Sequence, residues 1–198
     1  RQHLGQVVQG GMQLKSIIDE MVSLQHIDTG VARAQMADLD LATTVGDVLE
    51  DLHLLIQRKK MTTTVDIPPD LPAVRADEQV LHLILGSLVS NAVKFTPEKG
   101  SIALSAHQEG DRVVVRVTDT GIGIPEEELE RVFQRFYQIE PSLRRRHGGI
   151  GLGLAIAREM AGLIQAEITA ESTVGVGSTF AVHLQRGGPR PAAAGQTE

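Results

Sequence analysis

The strongest constraint on this chain is a set of four short patterns in a fixed order, each rich in glycine or built around one polar residue in an apolar run. The first is Ser87-Leu88-Val89-Ser90-Asn91-Ala92-Val93-Lys94-Phe95-Thr96-Pro97. Asn91 and Lys94 stand three apart and share one side of a helix. A carboxamide oxygen is a hard ligand suited to Mg2+, and an ammonium suits a phosphate. An ordinary helix terminus is the other reading of the same residues. The second pattern is Asp119-Thr120-Gly121-Ile122-Gly123-Ile124-Pro125, straight after a strand. A carboxylate there can accept a hydrogen bond from an exocyclic amine, and glycines beside it let the backbone approach a flat ring; a plain Asp-Thr-Gly turn is the alternative.

The third pattern, Gly148-Gly149-Ile150-Gly151-Leu152-Gly153-Leu154, enters a helix. Bare N–H groups and the positive end of the helix dipole together favour a phosphate, although close helix–sheet packing also selects glycine. No Gly-Lys-Ser/Thr follows, so it is not a Walker loop, and no βαβ unit surrounds it. The fourth, Gly175-Val176-Gly177-Ser178-Thr179-Phe180, reads alone as a hairpin turn.

Between these patterns the chain alternates helical and strand periods. Leu4, Val7, Gly11, Leu14, Ile18 and Met21 step by three and four, as in a bundle seam or an amphipathic surface helix over 4–28. Leu39 and Leu41 alternate with Asp38 and Asp40, a short strand, and Thr44 with Asp47 reads as a capping box. The helix it opens would bury Val48, Leu49, Leu52 and Ile56. Strands are predicted at 61–67, 101–107, 112–118, 166–172 and 178–185, the last four as two hairpins. A helix capped by Asp77 is apolar nearly all round, which places it at the centre of the core. A short acidic helix is expected at 126–133 and another helix from 151 to 163. Residues 134–149 read as a mobile loop and 187–198 as a disordered tail. The pattern implies an α+β fold: a mixed, mostly antiparallel sheet with helices on one face, in two layers.

Composition narrows the function. A formal charge of −6 argues against a nucleic-acid surface. The absence of Cys excludes thiolate metal sites, and no apolar run nears the ~20 residues of a membrane span. With no Trp, one Tyr and four Phe, the core must be mostly aliphatic. The chain opens without Met in helical-looking sequence, so it is read as part of a longer, cytoplasmic or membrane-anchored protein.

Taken together, Asn91 and Lys94, then Asp119-x-Gly121-x-Gly123, then Phe133-Gln134-Arg135-Phe136, then Gly149-x-Gly151-x-Gly153, then Gly175-x-Gly177-Ser178-Thr179-Phe180, closely resemble the N, G1, F, G2 and G3 boxes of sensor histidine kinases. These belong to the GHKL superfamily, with its Bergerat ATP-binding fold. The resemblance extends upstream, where 17–28 is similar to the end of the family's dimerisation hairpin. It implies a second hairpin helix in 1–30 and a catalytic domain at 36–186. It also implies ATP and Mg2+ as cofactors, a homodimer in the full-length protein, and a response-regulator receiver domain as partner.

The same resemblance assigns roles. Asn91 would hold Mg2+ with Ser87 nearby, and Lys94 would approach the phosphates. Asp119 would receive the adenine amino group, with Gly121, Gly123 and Ile124 letting the base pack close and Thr179 at its edge. Residues 134–149 would form the ATP lid, hinged at Phe133 and Phe136. Gly149, Gly151, Leu152 and Gly153 would line the phosphates. Within the run Arg144-Arg145-Arg146, one guanidinium, with Arg145 as the candidate, could reach the γ-phosphate.

Two departures matter. Position 87 is Ser where the family usually carries Asn or, in hydrolytic branches, Glu; a hydroxyl can hold a water near a metal but cannot act as a carboxylate base. None of the seven histidines stands in the family's phosphoacceptor context, so the acceptor is expected upstream. A nucleotide-free scaffold and a serine kinase of the anti-sigma-factor type are the competing readings.

Overall fold

The computed structural model describes residues 34–139 and 151–189. The helix expected at 4–28, the arginine run with Arg145, Gly149 and the tail from residue 190 lie outside the described residues.

Helix α1 (Leu41–Arg58) buries Leu41, Val45, Val48 and Ile56, a stripe at helical spacing. Its cap corrects the expectation. Asp40, not Thr44, is the N-cap: its carboxylate accepts from the Ala42 N–H at 3.2 Å and from the Thr43 hydroxyl at 3.1 Å. Thr44 is buried inside the first turn. Leu41 belongs to the helix stripe, so the preceding strand β1 is confined to Ala37–Leu39. Helix α2 (Glu78–Phe95) starts where predicted, with the Asp77 carboxylate accepting from the Val80 N–H at 3.1 Å. It packs between α1 and the third helix, α3 (Gly153–Leu163), and over the sheet, which explains its apolar circumference.

The other strands are β2 (Thr62–Asp66), β3 (Val74–Ala76), β4 (Ser101–Glu109), β5 (Arg112–Asp119), β6 (Glu167–Thr173) and β7 (Gly177–Arg186). β3 escapes the sequence reading because a strand of three residues is too short to show a period. The order is β1-β3-β7-β5-β4-β2, with β6 on β7. Among the described residues β2 and β4 pair in parallel and every other pair is antiparallel, as expected for a mixed sheet. Alternate residues of the central strands, such as Leu104, Val115 and Val182, point into one core shared with all three helices. Each such aliphatic burial stabilises by about 1.5–3 kcal/mol, so the core needs few aromatic rings.

The acidic stretch after Pro125 forms two separate 3-10 turns, Glu126–Glu128 and Arg131–Phe133, rather than one helix. The chain beyond β7 is ordered a little further than expected. Gly187 donates to the Ala73 carbonyl at 2.7 Å, and Ala73 donates to the Gly188 carbonyl at 3.2 Å.

Asp77 also accepts from the Gln35 N–H at 2.7 Å, joining the incoming chain to the start of α2. Asp77→Ala should therefore lower stability by about 1 kcal/mol, read as a shift in the urea midpoint at unchanged slope. Asp77→Asn, which keeps an acceptor, should lose less.

Candidate functional site

Strand β5 ends on Asp119, whose side chain falls on the core face with Val115 and Val117. The β5–β7 register sets Asp119 opposite Ser178. Burial holds the Asp119 carboxyl above the ordinary aspartate range, an effect partly offset by backbone N–H bonds from Gly121 and Ser178. The Gly121 N–H bond to Oδ1 is 2.7 Å long, an Asx-type turn that reverses the chain after the strand. A buried carboxylate with its own backbone donors is an acceptor fixed in place.

The turn that follows is clamped from two sides. A side chain at Gly121 would place its Cβ 2.5 Å from Asp119 Oδ1 and 2.9 Å from the Phe95 carbonyl oxygen, so only glycine fits against the end of α2. On the other side Gly123 backs onto the Thr173 carbonyl, and Gly175 donates to the Ile122 carbonyl at 2.8 Å. The Ile124 N–H donates to Ser172 Oγ at 2.8 Å. Ser172 Oγ in turn donates to the Gly177 carbonyl at 2.8 Å and lies 3.0 Å from Ser178 Oγ. The second and fourth sequence patterns are thus one hydrogen-bonded unit around Asp119.

The first and third patterns meet at the far side. Asn91 and Ser87 are half-buried on α2, one helical turn apart. A Cβ at Gly153 would lie 3.1 Å from Ser87 Oγ and 4.0 Å from Asn91 Nδ2, so the start of α3 comes close above both side chains. Among the described residues no side chain caps α3, and no acid occupies its first turn. Its positive end is therefore directed at a space bordered by a carboxamide and a hydroxyl, a donor set that fits a phosphate carrying a hard cation.

The remaining candidates divide. The Lys94 ammonium lies 4.8 Å from the Phe95 ring centroid, beside the same helix end. Phe133 and Leu152 are core residues: Phe133 meets Phe180 edge-on at 6.1 Å between centroids, and Leu152 is fully buried. Phe136 is exposed in a left-handed conformation (φ 65°), and its N–H donates to the Gly151 carbonyl at 2.9 Å. That bond ties together the two ends of the stretch 137–150. The nearby Tyr137 hydroxyl donates to Glu128, and the Arg131 guanidinium lies 4.4 Å from the Tyr137 ring centroid.

Thr179 is not brought to Asp119. It lies on the opposite face of the sheet, 3.0 Å from the Thr118 hydroxyl. Ser178, buried across from Asp119, is the hydroxyl that shares its face of the sheet. Strand parity carried the signal, since Phe180, Val182 and Leu184 place Ser178 on the core face. Ser172 had no sequence signal, because its role is to bridge two loops.

Asp119 also generates a stability prediction. Its folded pKa is raised, so the stability it contributes is full below the unfolded value near pH 4 and is lost as pH rises through the folded value. Asp119→Asn removes that loss while keeping an acceptor for Gly121. The variant should melt at a higher temperature than the wild type at pH 7, and the gap should close towards about pH 4, as read by calorimetry across pH.

Residues 76–188 match the family described as Histidine kinase-, DNA gyrase B-, and HSP90-like ATPase. The chain is 38% identical over 186 residues to the circadian input-output histidine kinase CikA of Synechococcus elongatus, covering 93% of this chain and 25% of that protein. It is 31% identical over 172 residues to the sensor histidine kinase RcsC of Escherichia coli, covering 86% of this chain and 18% of that protein. Among solved structures, full-length ShkA in complex with AMPPNP superposes with a TM-score of 0.79 at 26% identity, covering 94% of this chain and 39% of that one. The chain belongs to the histidine kinase-, DNA gyrase B- and HSP90-like ATPase family, and it spans a quarter or less of the length of the two histidine kinases CikA and RcsC.

Proposed function

We propose that this domain binds Mg·ATP and presents the γ-phosphoryl to a histidine that is not among the seven of this chain, for relay to an aspartate of a response-regulator receiver domain. The observation that carries the reading is the approach of the uncapped start of α3 to Ser87 and Asn91. In it, the Asn91 carboxamide oxygen holds Mg2+, whose charge offsets that of the phosphates, and the first-turn N–H groups of α3 receive phosphate oxygens. Lys94 adds positive charge at the same end of α2. Asp119 accepts the adenine amino group, with Gly121 and Gly123 keeping the wall of the site flat. The protein's part is positioning and charge stabilisation, which suffices for phosphoryl transfer.

Transfer to an imidazole rather than to water is supported by Ser87, which offers no carboxylate to activate water. The described histidines do not serve as acceptors in this reading: His82 faces Asp51 at 3.4 Å, His107 meets Arg116, His183 meets Thr169, and His53 is exposed on α1. The bond between Phe136 and Gly151 supports a lid hinged there, with Arg145 as its candidate phosphate contact. The match to CikA covers 93% of this chain and so takes in part of residues 1–30, which supports that segment as part of a dimerisation hairpin; a homodimer in the full-length protein belongs to the same reading.

Calorimetric titration tests the site. The wild type should bind Mg·ATP. Asn91→Ala should weaken that binding by about 10- to 100-fold, while binding of metal-free ATP changes little; Asp119→Asn should weaken both to a similar degree. A folded wild type that binds no nucleotide at millimolar ATP would overturn the reading.

A further inference from the structure

The end of α2 has an unusual set of hydrogen-bond partners. The last carbonyls of a helix have no partner within it and must find one elsewhere. Here the usual solution is blocked. Pro97 has no N–H to return to the helix, and it holds Thr96 in an extended conformation (ψ 131°). Yet the carbonyls of residues 93–96 are all occupied. Lys59 Nζ donates to the carbonyls of Val93 at 2.6 Å, Lys94 at 3.0 Å and Thr96 at 2.7 Å. An ammonium has three N–H donors, so all are committed. The remaining carbonyl, that of Phe95, accepts from the Ile122 N–H of the turn after Asp119 at 3.4 Å. Lys59 is held in place in turn. It is the C-cap of α1, followed by Lys60 in a left-handed conformation, and its carbonyl accepts from the Lys99 N–H at 2.8 Å.

We infer that Lys59 is a positioning residue for the nucleotide site. Its ammonium plugs the C-terminus of α2 and sets the Phe95 carbonyl where the Ile122 N–H and the glycine surface of Gly121 meet it. That contact fixes the distance between the half of the site bearing Asn91 and Lys94 and the half bearing Asp119. The positive charge also opposes the negative end of the helix dipole, at the helix end where Lys94 must reach a phosphate. Without the ammonium, three buried or half-buried carbonyls lose their donors, the helix end frays, and the two halves move independently. Lys59 lies 32 residues before Asn91 in sequence, and its side-chain hydrogen bonds to the first pattern go to main-chain oxygens.

This inference rests on the nucleotide-site reading of Asn91 and Asp119. The test is calorimetric titration of Mg·ATP into the full chain carrying Lys59→Met, Lys59→Gln or Asp77→Ala, with amide hydrogen exchange on the same samples. Asp77→Ala uncaps the opposite end of the same helix and serves as the control for lost stability alone. Lys59→Met should raise the Kd for Mg·ATP by about tenfold and speed exchange at Gly121 and Ile122 within the folded protein. Lys59→Gln, with two donors and no charge, should show smaller changes of both kinds, and it carries the comparison if the Met variant does not fold. Asp77→Ala should lower Tm and leave both readouts at their wild-type values. Wild-type Kd and exchange in the Lys59 variants would overturn the inference. So would equal changes in the Lys59 and Asp77 variants at equal loss of Tm, because Lys59 would then act through stability alone. If the wild type itself binds no Mg·ATP, the nucleotide reading fails first, and exchange at Ile122 still decides whether Lys59 sets the turn.

Discussion

Helix α2 is enclosed by α1, by α3 and by the sheet, and its polar residues lie where that enclosure opens. Leu81, Leu85, Leu88 and Val89 are wholly buried, whereas Ser87, Asn91 and Lys94 are only partly so. A close-packed interior resists movement of any one element, so the helix delivers Asn91 to a fixed point. The other parts of the site are built around that point: the start of α3 lies over Asn91, and the turn after β5 abuts Phe95 one turn further on. An element anchored on three sides is suited to holding a charged ligand without reorganising around it.

Asp119 shows the opposite relation between fold and site. It opposes stability, since burial disfavours its charged form, and the two backbone donors only partly compensate. A folding core would be better served by a neutral residue there. In the proposed function that penalty has a use, because the carboxylate is the acceptor for the adenine amino group. The network of Ser172, Ser178 and Gly177 holds the two loops together beside it.

Much of the fold was legible from sequence because its signals are local. The stripe of α1, the cap at Asp77 and the alternation of β4 and β5 each depend on residues within a few positions of one another. The errors were also local in origin. Thr44 and Asp47 fit a capping box, but Asp40 precedes a leucine that the core needs, and the helix therefore starts earlier. The three glutamates after Pro125 read as one helix, whereas the chain there makes two 3-10 turns beneath the aromatic contacts of Phe133 and Tyr137.

The sequence by itself determined which chemistry the chain carries: an Asn on an apolar helix, an Asp at a strand end, glycines where backbone must come close, and no carboxylate at position 87. Those properties belong to single residues and their immediate neighbours. The tertiary structure decided which of two adjacent hydroxyls, Ser178 or Thr179, faces Asp119, because strand register assigns successive residues to opposite faces. It also decided which of three consecutive basic residues, Arg58, Lys59 or Lys60, closes the end of α2. That choice depends on how two helices distant in sequence pack, which sets the C-cap of α1, Lys59, beside the last carbonyls of α2. No local pattern encodes either outcome, since each is a distance between segments that only the packed core brings together.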